Sequence, residues 1–185
     1  MFISREYPAL LGTRIVARNR KQERGGGTRA TVALERAGVP FQLHAYDLGH
    51  APPGGSVGEA VAAQLGLSPS VVFKTLLAEV DGAPVCAIVP TAGTLSLKRL
   101  AAAAEGKRAR MMDPADAERL SGYVTGGISP FGQLRPLPTF VDRSATRLEA
   151  LLVSAGQRGL QLELGPEVLV EVAGASPVDG LGVAK

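Results

Sequence analysis

The chain has 185 residues, 45% of them apolar and 20% charged, with a formal net charge of +3. This is enough for one domain with a real core, and no apolar run reaches the ~18 residues of a membrane-spanning helix, since Lys74, Asp81 and Pro90 break the richest stretches. The charge also argues against a generally basic nucleic-acid binder: residues 1–27 carry six Lys/Arg against two Glu, a net of +4, and the rest carries fourteen against fifteen, a net of −1. Contact with RNA must then come from local placement of charge or from the N-terminal segment.

The first twenty residues lack the basic start and long apolar core of a secretion signal. A single cysteine, Cys86, allows no internal disulfide, so the expected location is the cytoplasm. Residues 1–27, charged and closing on Gly25-Gly26-Gly27 without apolar period, are expected to be a mostly disordered basic extension. The folded domain is expected over 28–178.

Thr28 caps a predicted helix whose apolar positions Ala30, Ala33, Leu34 and Ala37 recur at helical spacing before Gly38. Phe41 to Tyr46 alternates with period two and predicts a strand with Gln42, His44 and Tyr46 on one face. After a Pro/Gly-rich loop, Ser56-Val57-Gly58-Glu59 has capping-box spacing for a helix through Leu65. Val71 to Val80 and Pro84 to Pro90 flank Asp81-Gly82 and predict an antiparallel hairpin. Ser96 and Asp113-Pro114 open two further helices, Thr139 to Asp142 and Leu151 to Ser154 read as strands, and Pro166 starts a last helix. Asp179 to Lys185 reads as tail. The fold class expected from this order is mixed α/β, a single domain with a mostly antiparallel mixed sheet and helices around it.

Lys74 stands alone in the apolar run Val71-Val72-Phe73-Lys74-Thr75-Leu76-Leu77. A buried unpaired ammonium is costly, so it must meet an anion, sit at a wet cleft or change its protonation. An edge lysine reaching solvent, or paired with a structural carboxylate, fits the same pattern. Lys74-Thr75 is not a phosphate loop, since Phe73 stands where that motif needs glycine.

Ser121 to Gly132 holds four glycines, which expose main-chain N–H groups and suit an oxyanion or phosphate, although a structural crossover is an equal reading. Ser129 is no elbow nucleophile, because Phe131 replaces the glycine that motif requires. Val153 to Leu160 joins small residues to Arg158 and could hold an anion, or be a glycine-rich turn with a solvated arginine. Asp142, ending a strand, either orients Lys74 or caps the next helix. His44 and His50 do not make a zinc site, and Cys86 in an apolar strand reads as a small core residue.

Taken together and in order, Phe41 to Asp47, Val72 to Leu76, Thr91-Ala92-Gly93 with Leu97-Lys98, Gly122 to Gly132, Leu137 to Asp142 and Val153 to Leu160 resemble the YbaK-type aminoacyl-tRNA deacylases. These are relatives of the editing domain inserted in bacterial prolyl-tRNA synthetases. The resemblance spans about Thr28 to Gly174 and implies an editing fold that removes a wrongly attached amino acid, chiefly cysteine and otherwise alanine, from the 3′ end of the proline tRNA. It implies no cofactor, no metal and no covalent enzyme intermediate.

By the same resemblance Lys74 holds the terminal adenosine phosphate or the acyl carbonyl, and Gly126 and Gly127, in the Gly-x-x-x-Pro loop that ends at Pro130, offer N–H groups to the developing oxyanion. Substrate-binding roles fall to Tyr46, Thr75, Thr125, Ile128, Ser129, Pro130, Asp142, Ser154, Gly156 and Arg158. The attacking group is then water or the substrate's own thiol. Phe73 lacks the hydroxyl that tyrosine offers in some relatives, so no role needing it carries over. The implied partners are the aminoacyl-tRNA end and prolyl-tRNA synthetase, whose delivery would offset the weak attraction of a −1 domain for bulk tRNA. Two other readings remain open: a non-catalytic relative binding the nucleotide or tRNA end or acting as a synthetase adaptor, and an unrelated anion-binding α/β hydrolase.

Overall fold

The computed structural model describes Leu10, residues 27–47 and residues 57–184. The rest of the N-terminal segment, Ser56 of the predicted capping box, His50 and Lys185 lie outside the described residues. Helix α1, Arg29–Ala37, begins where the Thr28 hydroxyl accepts the Thr31 N–H and ends at Gly38 with φ +67. Strand β1 is Gln42–Ala45 and helix α2 is Val57–Gln64. The predicted hairpin forms β2, Phe73–Val80, and β3, Ala83–Pro90. Its turn residues Asp81 and Gly82 both have positive φ, 49 and 87, the geometry for which Asp-Gly is the favoured pair. After β4, Gly93–Leu95, comes α3, Leu97–Ala103, capped by the Ser96 hydroxyl. Then follow β5, Ala109–Met111, and α4, Pro114–Ser121, capped by Asp113 with proline in its first turn.

The remaining elements are β6, Thr139–Asp142, a short 3-10 helix, Arg143–Arg147, β7, Leu151–Ser154, β8, Leu160–Leu164, α5, Glu167–Glu171, β9, Ser176–Val178, and β10, Gly182–Ala184. They build a five-stranded sheet of order β5-β2-β3-β6-β9, a three-stranded antiparallel sheet β1-β8-β7, and a two-stranded ribbon β10-β4. The β3–β6 and β6–β9 pairs are parallel and the other ladders antiparallel. The chain is thus the mixed α/β domain expected.

Three apolar clusters bind these layers. The largest buries Phe73, Leu77, Ile88, Phe131 and Leu162 together with Leu34 of α1. The opposite face of the five-stranded sheet covers Ala87, Val89, Leu100 and Leu181, and α2 packs Val61 and Ala62 on Val72 and Leu152. Val72 and Leu152 also form an isolated parallel bridge, so the two larger sheets meet at the start of β2.

Residues 179–184 do not form the tail expected of them. Leu181 is fully buried, Gly182–Ala184 pairs with Gly93–Leu95, and the Gly182 N–H donates to the Asp142 carboxylate at 2.7 Å. One buried leucine and one charge-assisted hydrogen bond are enough to fix a short strand whose local sequence carries no period.

Candidate functional site

Strand β5 pairs with Ala78 to Val80, so among the described residues the outer edge of β2 from Phe73 to Leu76 lies beside no ladder strand. That edge opens on a cavity of about 270 Å³. Lys74, Thr75, Thr125, Gly126, Ile128 and Ser154, all expected site residues, share its lining. The Lys74 ammonium is half-buried and donates to the Gly93 carbonyl at 2.6 Å. Gly93 must be glycine, because a Cβ there would sit 2.6 Å from the Val183 carbonyl oxygen of β10. The C-terminal ribbon therefore fixes the carbonyl that orients the cation.

The glycine loop is a built turn. The Gly127 N–H donates to the Val124 carbonyl at 2.9 Å, and Gly126, at φ +85, takes the left-handed position that such a turn gives to glycine. Gly127 thus spends its N–H inside the turn, which corrects its expected role as an oxyanion donor. Its requirement for glycine is steric, since a Cβ would lie 2.9 Å from the main chain of Gln157 and Arg158. Arg158 donates from Nε to the Thr125 carbonyl at 2.8 Å. The C=O and N–H of one trans peptide point in opposite directions, so this contact turns the Gly126 N–H away from Arg158. Tyr123 closes the loop by donating to the Phe131 carbonyl at 2.7 Å beneath the Arg29 guanidinium, 4.5 Å from its ring.

The Glu118 carboxylate accepts the Thr125 N–H at 2.7 Å, and that backbone hydrogen bond, ahead of the Thr125 side chain and the charge of Arg158, holds its pKa below the ordinary glutamate value. A depressed pKa means that this hold on the loop is present above the ordinary carboxylate range and is lost only as pH falls through the lowered value. Amide exchange at Thr125, followed by NMR from neutral pH to about pH 3, should keep its protection through mildly acidic conditions; loss already near pH 6 would contradict the assignment.

Other expected site residues lie elsewhere. Ser129 is fully buried, with its carbonyl held by Gln133 at 3.0 Å. Pro130 lines a separate hollow with Phe131, Gln133 and Leu137. Gly156, at φ +92, lets the Tyr123 ring approach, since a Cβ would meet that ring at 2.7 Å. Tyr46 packs with Val61, Val72 and Leu152 under α2 instead of lining the cavity. Asp142 is the cap: Oδ1 accepts the Ser144 N–H at 2.9 Å and Oδ2 the Gly182 N–H, with no place in the cavity lining. Its two oxygens thus hold the helix start and the β10 tether.

Residues that the sequence reading missed are Gln161, Thr91, Gly58 and the apolar wall of Met112, Pro114 and Ala117. Gln161 had a signal, because Leu160-Gln161-Leu162-Glu163-Leu164 alternates with period two. Among its described lining residues the cavity has no His, Cys, Asp or Glu. Cys86 is fully buried outside that lining, and desolvation pushes its thiol up to about 11. Native protein should leave Cys86 unreacted with iodoacetamide at about pH 8, whereas denaturant should expose it to full labelling by mass spectrometry.

A family model for the aminoacyl-tRNA editing domain matches residues 51–172. A candidate Cys-tRNA(Pro)/Cys-tRNA(Cys) deacylase of Enterococcus faecalis, EbsC, is 39% identical over 115 residues, 62% of this chain and 70% of that protein. The uncharacterized Bacillus subtilis protein YwhH is 28% identical over 113 residues, 61% of this chain and 72% of its own length. Among solved structures, a candidate trans-editing enzyme for prolyl-tRNA synthetase superposes with a TM-score of 0.71 at 19% identity, over 81% of this chain and 94% of its own. The hypothetical protein APE2540 gives 0.70 at 22% identity, over 81% and 98%. At such identities the structures attest the fold.

Proposed function

The chain belongs to the aminoacyl-tRNA editing domain family, and from that premise we propose that it acts in trans as a deacylase, removing cysteine, and alanine more slowly, from mischarged tRNA(Pro). The observation that carries this reading is one cavity walled by Lys74 and Gly126, with no titratable side chain besides Lys74 among its described lining residues. An aminoacyl ester is already activated. Its hydrolysis needs orientation and donors aimed at the oxyanion more than it needs a strong enzyme nucleophile.

Lys74 polarises the acyl carbonyl or holds the phosphate of the terminal adenosine, and the Gly126 N–H is the second donor. Attack by water breaks the acyl C–O bond and releases the free amino acid and the tRNA hydroxyl. With cysteine, the substrate thiol can attack instead; its proton passes to the departing tRNA oxygen and a cyclic thioester leaves. Prolyl-tRNA synthetase is the partner that would deliver the tRNA to a domain of −1 charge.

The test incubates the protein with Ala-, Cys-, Ser- and Pro-tRNA(Pro), with and without the synthetase, and follows acid-precipitable label. Cysteine and alanine should be lost faster than in buffer and proline should not. Binding to the charged tRNA end without any such loss would instead mark a non-catalytic adaptor.

A further inference from the structure

Two buried polar groups of the cavity have no hydrogen-bond partner among the described residues. Gln161 is 6% exposed and its Oε1 accepts nothing; Thr75 is 8% exposed and its Oγ1 is likewise unpaired. Both residues line the cavity. Gln161 on β8 stands opposite Ser154 on β7, so the two side chains share a face of the three-stranded sheet. The Ser154 Oγ accepts the Gly156 N–H at 3.3 Å and also borders the cavity. Thr75 reaches in from β2, where Phe73 and Leu77 on the same face are buried in the core. Buried polar groups are normally satisfied, so two orphans on one cavity call for a partner that arrives from outside.

The surroundings define that partner. The amide of Gln161 can turn either its oxygen or its NH₂ to the cavity, and a threonine hydroxyl both donates and accepts. A ligand hydroxyl or thiol does both as well, whereas a methyl group satisfies neither. The substrate's α-ammonium is a poor candidate, because the described lining holds no carboxylate to pair with it. We infer that Gln161 and Thr75 form a specificity subsite for the side chain of the attached amino acid, selecting a small residue that ends in a hydroxyl or thiol. This rests on the deacylase reading and extends it: serine joins cysteine as a preferred substrate, and alanine falls behind both.

The decisive pair is Ser-tRNA(Pro) against 2-aminobutyryl-tRNA(Pro), which matches serine closely in size but ends in methyl and has no thiol to assist cleavage. Wild-type protein should favour serine by about tenfold or more in kcat/KM, the discrimination expected when a site's polar groups are left unpaired by the wrong ligand. Gln161→Leu and the near-isosteric Thr75→Val should each collapse that ratio towards one, with circular-dichroism melts verifying that the variants fold. Equal wild-type rates on the two esters would overturn the inference. So would a uniform loss in the variants that preserves the ratio, which would assign Gln161 to the common part of the substrate.

Calorimetry with the stable amides 3′-seryl-amino- and 3′-(2-aminobutyryl)-amino-adenosine separates the two claims. If no ester is hydrolysed but the seryl amide binds about tenfold tighter, the subsite stands and the deacylase reading falls. Equal binding accompanied by hydrolysis that does not distinguish the esters overturns the subsite and leaves the deacylase reading intact.

Discussion

Lys74→Met should lower kcat/KM on Cys-tRNA(Pro) by about 10²–10³-fold, the effect of removing one preorganised donor from a developing oxyanion, while the protein stays folded. The substitution keeps an unbranched side chain as far as Cε and removes the ammonium. Its structural cost includes the hydrogen bond to the Gly93 carbonyl, worth about 1 kcal/mol. A shift of a few degrees in melting temperature is therefore expected beside a loss of two to three orders in rate. Lys74→Arg should not restore the rate, because a planar guanidinium cannot take the place of a compact ammonium at a half-buried position beside Gly93. Wild-type kinetics in either variant would move the chemistry away from Lys74.

Asp142→Ala should show the reverse pattern, a large loss of stability with activity failing as the fold fails. Asp142 is 5% exposed and both oxygens accept main-chain N–H groups, from Ser144 at 2.9 Å and from Gly182 at 2.7 Å. Alanine leaves both donors unsatisfied, removes the cap of the 3-10 helix and frees the start of β10. Unfolding in urea should show a loss of about 2–4 kcal/mol at unchanged m-value. Asp142→Asn keeps one acceptor but turns an amide NH₂ towards one of the donors, so an intermediate loss is expected. If Asp142→Ala melts with the wild type, the tether between β6 and β10 contributes nothing.

These two residues illustrate what local sequence can reveal. The hairpin, the caps at Thr28, Ser96 and Asp113, and the run around Lys74 all follow from neighbouring residues, and the structure has each of them. Asp142 as a cap is equally local. Its second bond, to Gly182, joins positions forty residues apart, and no pattern within Gly182-Val183-Ala184 announces a strand. The same holds for Gly93, whose need for glycine comes from β10 crossing close by.

The cavity was only half legible for a related reason. Lys74, Thr75, Thr125, Gly126, Ile128 and Ser154 converge there because β2, the glycine loop and β7 meet beyond the Val72–Leu152 bridge. Gly127, Pro130 and Arg158 belong to the same motifs but shape and anchor the loop. A motif marks the segment, and only the direction of each N–H and side chain divides the groups that face the cavity from those that support it. Gln161 required β8 to be recognised first, since Leu160 to Leu164 places Gln161 and Glu163 together on one face.

On the proposed function, the cavity beside Lys74 cleaves the ester of a wrong amino acid and spares the right one. This is tested most directly by a single-turnover time course with excess protein over Cys-tRNA(Pro) and, in parallel, Pro-tRNA(Pro). The cysteinyl ester should be lost rapidly with wild-type protein and the prolyl ester should decay at the buffer rate, and with Lys74→Met the cysteinyl ester should decay close to the buffer rate as well. A cysteinyl ester that decays no faster with wild-type protein than in buffer would contradict the proposed function.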